Sequence, residues 1–350
     1  MRHVPRPARL APPAAALLLV LVLALAPADG VAVPPSPLRP VTTYSIVARD
    51  LETGELGVAV QSHWFSVGAL VPWAEAGVGA VATQSMVDPS YGPRGLALMR
   101  QGLRAPIALS ELLEQDENAA IRQVAFVDAT GEAAAHTGGR CIAEAGQYVG
   151  RGFSVQANLM ANGTVPAAMA AAFEQTRGPL AERLVAALAA AEGAGGDIRG
   201  RQSAALLVVA AEATGNVWQD VLVDLRVEDH PDPVAELTRL LGLHRGYEMM
   251  NAGDLAVEAG DQRAADHHYG EAERLLAGNL EARYWHAVAL ANSGRVDKAL
   301  NIFGEVFLAD ENWRTLTPRL VPPGFLAVDA ATLDRILSVV PPAAANEGNR

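Results

Sequence analysis

The chain has 350 residues and a formal net charge of −12, with half of its residues hydrophobic and 19% charged. This length is enough for two domains with sizeable cores, and the negative charge argues against nucleic acid or an anionic membrane as a partner. The single cysteine, Cys141, excludes an intrachain disulfide, and the eight histidines lack the usual spacings of zinc ligands, so we expect no metal and no cofactor.

The first 28 residues have the pattern of a secretory signal peptide. Three arginines precede an apolar stretch over residues 14–26, and residues 26–28 (Ala-Pro-Ala) offer a small-x-small cleavage pattern. The apolar stretch is short for a membrane span, so we expect cleavage and a secreted or periplasmic protein rather than an anchored one. Residues 29–41 contain four prolines and are predicted to be a linker or pro-segment.

Residues 42–229 are predicted to form one domain in which strands and helices occur in blocks. Two strands come first, at 42–50 and 55–62, joined by a turn at 52–55. An apolar stretch at 67–73 precedes the remaining predicted elements. These are strands at 78–83, 122–128, 133–137, 148–156, 204–210 and 217–225, and helices at 90–101, 106–115, 165–174 and 179–192.

This order of blocks differs from the strict alternation of strand and helix in a doubly wound parallel sheet. Strands such as 57–60 are apolar on both faces, as expected for sheets covered on both sides. The pattern therefore predicts an α+β fold, a four-layer αββα sandwich with antiparallel sheets inside and pairs of helices outside.

Residues 230–340 have a helical pattern with an internal repeat of 34 residues. Gly260 matches Gly294, and Tyr269 matches Phe303. Helical pairs at this period resemble tetratricopeptide repeats, and we expect helices at 233–244 and 318–340 to cap the two repeats. Such a region could bind a peptide or a partner protein in its groove. Residues 341–350 are predicted to be a disordered tail.

The first domain resembles a known superfamily through several long motifs. These include TYSIVARD at 43–50, TGELGVAVQS at 53–62, YGPRGLALM at 91–99 and GGDIRGRQSAALLVV at 195–209. It resembles the N-terminal-nucleophile hydrolases and, more narrowly, the uncharacterised family called domain of unknown function 1028. The resemblance implies the αββα sandwich and hydrolysis of amide bonds, and it supplies no substrate.

Thr43 is the first candidate nucleophile, ahead of Thr42 and Ser45, because it heads the first strand as the superfamily's nucleophile does. Its α-amino group could serve as the base only if the chain is cut before it, since an internal threonine has no free amine. A threonine at a strand start is also explained by strand propensity alone.

Ser62 and His63 end the second strand, and a hairpin would bring Ser62 near Thr43. In proteasome-like members an acidic residue and a lysine assist the nucleophile, whereas here Ser62 stands near the acid's position and no lysine is available. His63 could accept a proton, although a strand-end histidine without a role is the simpler interpretation. The other candidates are Asn158 or Gln156 as oxyanion donors, and Gln84, Gln156, Arg201 and Arg94 as substrate-binding residues. All of these could equally cap strands and helices.

Two functions follow from these patterns. The first is an exported amidohydrolase or peptidase that uses an N-terminal threonine after processing and acts on a small amide or peptide, such as a cell-envelope fragment or an N-acyl amino acid. The alternative is a catalytically inactive binding or scaffold protein that acts through residues 230–340. A homo-oligomer is compatible with either.

Overall fold

The computed structural model describes residues 41 and 43–340. The predicted signal peptide, nearly all of the predicted linker, Thr42 and the predicted tail lie outside this part of the chain. Its strands form two antiparallel sheets. The six-stranded sheet has, in spatial order, β10 (Val221–Val227), β9 (Ser203–Val209), β2 (Leu56–Ser62), β1 (Thr43–Arg49), β8 (Phe153–Ala157) and β7 (Gly146–Gly150). The four-stranded sheet has β3 (Pro72–Glu75), β4 (Gly79–Ser85), β5 (Arg122–Asp128) and β6 (Ala133–Thr137).

Strands β1 and β2 form a hairpin whose turn is fixed by its own side chains. The Asp50 carboxylate accepts the backbone N–H groups of Glu52 and Thr53, at 2.8 and 2.9 Å. Gly54 has φ +82°, a conformation that glycine adopts without strain. This turn sets the register, in which Thr43 lies opposite Ser62.

The helices follow the strands in blocks. Several begin where the sequence predicts, with a proline in the first turn or an aspartate that accepts an N–H group of the first turn. Short 3₁₀ helices lie at Val67–Ala69, Ala119–Ile121 and Thr317–Leu320. The α-helices are α1 (Tyr91–Arg100), α2 (Ala105–Glu114), α3 (Val165–Gln175), α4 (Leu180–Gly193), α5 (Val217–Asp220), α6 (Pro233–Glu258), α7 (Gln262–Leu275), α8 (Leu280–Asn292), α9 (Val296–Ala309), α10 (Asn312–Leu316) and α11 (Ala330–Leu337).

The two sheets pack face to face. Val47 and Val58 of the six-stranded sheet share an apolar cluster with Ala80 and Ala125 of the other. Helices α1 and α2 cover the outer face of the four-stranded sheet, while α3, α4 and the start of α6 cover the outer face of the six-stranded sheet. The chain is thus a mixed structure consistent with the α+β class.

Helix α6 leads into a series of helices that continues to the end of the described chain. It packs on α7, and α8 packs on α9. Arg245 on α6 also forms an ion pair with Glu182 on α4, at 2.9 Å. Among the described residues, no helix is both long and apolar enough to cross a membrane.

Four predicted elements differ from the structure. The strand predicted at 148–156 is two strands, β7 and β8, because Gly152 takes φ +79° in a turn. The strand predicted at 217–225 begins with the short helix α5. The helix predicted at 233–244 continues to Glu258, since no residue interrupts it before Gly260 at φ +75°. The helix predicted at 318–340 is a 3₁₀ turn, a loop and α11.

Candidate functional site

Thr43 lies at the end of the six-stranded sheet where β1 begins and β2 finishes. Its side chain is fully buried. The hydroxyl Oγ1 is 2.7 Å from the carbonyl oxygen of Val41, to which it can donate, and 3.1 Å from Ser62 Oγ. The structure therefore brings the candidate nucleophile and Ser62 into contact.

The carbonyl oxygen of Thr43 is held by amide donors from both sheets. The backbone N–H of Asn158 and Nε2 of Gln84 each donate to it at 3.1 Å. Asn158 Nδ2 lies 3.5 Å from the same oxygen, and Asn158 Oδ1 has no partner among the described residues. Two of the predicted site residues thus fix the backbone of Thr43 rather than its hydroxyl.

Gln123 joins these amides into one buried network. Its Oε1 accepts hydrogen bonds from Gln84 Nε2 at 2.7 Å and from Asn158 Nδ2 at 2.8 Å. Its Nε2 donates to Thr137 Oγ1 and to the Ala157 carbonyl, both at 2.9 Å. Gln123 is not among the site residues predicted from the sequence, although a glutamine on the same face of an apolar strand as Ala125 and Val127 is a recognisable signal.

Ser45 closes the network toward the middle of the sheet. Its hydroxyl donates to Gln84 Oε1 and accepts from Gln156 Nε2, both at 2.6 Å. Gln156 Oε1 accepts from Ser154 Oγ at 3.2 Å. Gln156 is therefore committed to bonds within the protein and makes no hydrogen bond to Thr43.

His63 and Arg201 lie together, apart from the Thr43 hydroxyl. Both line a cavity of about 300 Å³ together with Asp229 and His230. Arg201 forms ion pairs with Glu192 and, at 3.4 Å, with Asp232. The His63 backbone N–H donates to the Asp197 carboxylate at 3.3 Å, and its ring Nδ1 is buried without a partner in the described chain.

Arg94 lies on the first turn of α1, in the layer outside the four-stranded sheet. It is exposed and donates to Gln115 Oε1 at 2.7 Å. The structure does not bring it into contact with Thr43 or with the amide network.

At the same end of the six-stranded sheet, the face covered by α3 and α4 carries a second set of buried polar groups. Tyr44 donates to Glu192, and burial together with this carboxylate raises the pKa of Tyr44 well above its ordinary value. Gln61, opposite Tyr44 on β2, is fully buried, and neither polar atom of its side chain has a partner among the described residues. Tyr44 thus stays protonated and donates its hydroxyl to Glu192, while the side chain of Gln61 has no hydrogen-bond partner in the described part of the chain.

The chemistry available at Thr43 is that of neutral groups. The side chains that contact it through hydrogen bonds are those of Ser62, Gln84 and Asn158, which carry no charge. No group of three or more His, Cys, Asp or Glu side chains suited to a metal occurs in the part of the chain that the structure describes. None of these three side chains is a base at neutral pH, and His63 lies apart in the cavity with Arg201.

A family model described as a family of unknown function, DUF1028, matches residues 43–237. The crystal structure of protein SPO2555 from Silicibacter pomeroyi, described with the same family model, is 32% identical with a TM-score of 0.51, and the match covers 57% of this chain and 88% of that one. No curated protein matches the chain.

Proposed function

The chain belongs to the DUF1028 family, whose function is unknown, and from this membership and the position of Thr43 we propose that its first domain is an N-terminal-nucleophile amidohydrolase or peptidase. The proposed active form begins at Thr43, after cleavage of the bond between residues 42 and 43. The single observation that carries the proposal is that a buried threonine hydroxyl heads β1 between two face-to-face sheets. We assign this arrangement to an αββα sandwich of the N-terminal-nucleophile type.

In the proposed reaction the α-amine of Thr43 accepts the hydroxyl proton while Oγ1 attacks the carbonyl carbon of an amide. The C–N bond breaks, the proton passes to the leaving amine, and the acyl group stays on Oγ1 as an ester. Water then attacks the ester with the same amine as base, so the acid leaves and the hydroxyl is restored.

The neutral surroundings of Thr43 suit this use of its amine. The reference pKa of an α-amino group is about 8, so the neutral amine that can accept the hydroxyl proton is present near neutral pH. The side-chain amide of Asn158 is the proposed oxyanion donor. Its contact with the Thr43 carbonyl, at 3.5 Å, is too long for a strong hydrogen bond, which leaves this N–H available to an oxyanion.

The alternative is that the protein does not catalyse a reaction and binds a partner through residues 230–340. The specific observation in its favour is that Thr43 follows other residues in the chain, so that it has no free α-amine before processing. The experiment that separates the two functions is the intact mass and N-terminal sequence of the protein exported from its native host. A start at Thr43 favours hydrolysis, whereas a start at residue 29 leaves the amine blocked and contradicts it.

A matched pair of variants tests whether the hydroxyl performs the cut itself. Thr43→Val keeps the shape of the side chain and removes the hydroxyl, whereas Thr43→Ser keeps the hydroxyl. If processing is autocatalytic, the purified Thr43→Ser chain is cut before residue 43 and the Thr43→Val chain stays intact. Equal cutting of both variants would assign the cut to another protease, and the same pair would then be compared for amide hydrolysis after processing.

A further inference from the structure

Val41 occupies a built site beside Thr43. Its backbone forms a two-bond antiparallel bridge with Ser85: the Val41 N–H donates to the Ser85 carbonyl at 2.7 Å, and the Ser85 N–H donates to the Val41 carbonyl at 2.9 Å. Ser85 ends β4 of the opposite sheet and is itself buried. The chain before Thr43 is thus held by backbone bonds to the four-stranded sheet.

The Val41 side chain completes the apolar packing between the sheets. Only 1% of Val41 is exposed, and it belongs to the same cluster as Val60, Val71 and Ala82. Its carbonyl also accepts the hydroxyl of Thr43. One residue therefore supplies a backbone donor, a backbone acceptor and a small aliphatic side chain within contact of the candidate nucleophile.

Removal of the segment that ends at residue 42 would empty this site. The Ser85 N–H and carbonyl would lose their partners, and an aliphatic space would open between the sheets. Buried backbone groups without partners and apolar voids are both unfavourable, so the vacated site would favour a ligand that restores the lost contacts. A backbone that adds to a strand in extended form restores both hydrogen bonds.

From this geometry we infer that the Val41 position is the acyl-side subsite of the enzyme, an inference that rests on the proposed function. It takes a peptide in extended conformation, with the two-bond bridge to Ser85 and a small aliphatic side chain at the residue second from the bond that is cut. Val41 is the second residue on the amino side of the bond between residues 42 and 43, and the substrate residue in this subsite has the same position relative to its own amide bond.

The test uses the segment itself as a free ligand. The protein is the chain that starts at residue 43 and carries Thr43→Val, so that binding is measured without hydrolysis. Cooperative thermal unfolding checks that this shortened chain is folded. The probe is the peptide of residues 36–42, compared by calorimetry with two matched peptides, one with Val41→Asp and one with N-methylvaline at position 41.

We expect the unmodified peptide to bind and each altered peptide to bind at least about tenfold more weakly. Aspartate would place a charge in the aliphatic space, and N-methylvaline cannot donate to the Ser85 carbonyl. Failure of the unmodified peptide to bind, or equal binding of all three, would overturn the inference. Hydrolysis by the chain with an intact Thr43 is scored separately, so an enzyme that is active but does not bind the peptide overturns the subsite alone.

The full chain provides a second measurement if the shortened chain does not fold. In the full chain, Val41→Asp should release the segment and speed hydrogen exchange of the Ser85 amide at least about tenfold relative to Val41→Ile. Added unmodified peptide should restore the protection of Ser85. An unchanged exchange rate, or no protection by the peptide, would contradict the inference.

Discussion

Gln123 and Gln61 form a matched pair for testing the amide network. Gln123 lies on β5 of the four-stranded sheet and Gln61 on β2 of the six-stranded sheet, and both are fully buried. Gln123 accepts two hydrogen bonds and donates two at 2.9 Å, whereas the side chain of Gln61 has no partner among the described residues. Replacing each by leucine removes the same amide group, in one case from a hydrogen-bonded environment and in the other from an environment without hydrogen bonds among the described residues.

For Gln123→Leu we expect a loss of about 2–4 kcal/mol in the free energy of unfolding. Four hydrogen bonds of 2.9 Å or less, at about 1 kcal/mol each, are removed together with a longer one to the Gly146 carbonyl at 3.3 Å. The Ala157 carbonyl and one Asn158 N–H lose their best partner, and the buried leucine recovers part of the cost. For Gln61→Leu no hydrogen bond among the described residues is lost, so we expect a change in the free energy of unfolding within about 1 kcal/mol of zero in either direction.

Urea unfolding of the full chain, followed by tryptophan fluorescence, measures both changes. The midpoint should fall clearly for Gln123→Leu and little or not at all for Gln61→Leu, with the same dependence on urea concentration for both variants. If the two midpoints fall equally, hydrogen bonding does not explain the network's stability. A large loss in Gln61→Leu would show that Gln61 has a partner outside the described residues.

Two further predictions concern acid stability and packing. Burial alone would raise the pKa of Asp128, but hydrogen bonds from Thr130, the Ala105 N–H and Arg104 hold it below its ordinary value. The stability from these bonds is therefore complete above the unfolded pKa of about 4 and is lost as the pH falls through the folded pKa, so Asp128→Asn should lower the urea midpoint at pH 7 and flatten its decline below pH 4. A decline as steep as that of the wild type would count against Asp128 as its source. Gly95→Ala on α1 would place Cβ 2.4 Å from Phe126 and should destabilise by about 1–3 kcal/mol, whereas Gly270→Ala on α7 meets nothing within 4 Å and should stabilise by up to about 1 kcal/mol. The reverse order of the two thermal midpoints would refute the packing argument.

The pairing of Thr43 with Ser62 could be predicted because a short hairpin leaves little freedom. Two apolar strands joined by a tight turn fix the register, and Asp50 and Gly54 mark that turn in the sequence. The resemblance to the DUF1028 family could also be recognised from long motifs, and the family match over residues 43–237 confirms it.

The position of His63 relative to Thr43 could have been predicted from the alternation of side chains along a strand, but not from its place next to Ser62. Side chains alternate along a strand, so the residue after Ser62 faces away from Thr43, on the side of Gln61. The structure accordingly places His63 with Arg201 in a separate cavity. Closeness along the chain to Ser62 was therefore a poor guide to closeness in space to Thr43.

The central position of Gln123 depends on how the two sheets face each other. Its partners Gln84 and Thr137 lie on neighbouring strands, but Asn158 and Ala157 belong to the opposite sheet. No local pattern specifies which strand ends meet across two sheets, because that contact depends on the packing of the whole apolar cluster between them. A single sequence therefore identifies polar residues at strand ends without showing how they connect.

The amide network gives a physical reason why residue 43 could serve as an ordered chain terminus. Terminal residues usually fray unless they are held in place. Here the carbonyl of Thr43 accepts donors from Asn158 and Gln84, and β1 continues between β2 and β8. Among the described residues, cleavage before Thr43 would remove the contacts made through Val41, including the 2.7 Å contact of the Thr43 hydroxyl with the Val41 carbonyl. The contact of the hydroxyl with Ser62 and the hydrogen bonds to the Thr43 carbonyl do not involve the removed segment, so under the proposed cleavage they would hold the new N-terminal residue in place.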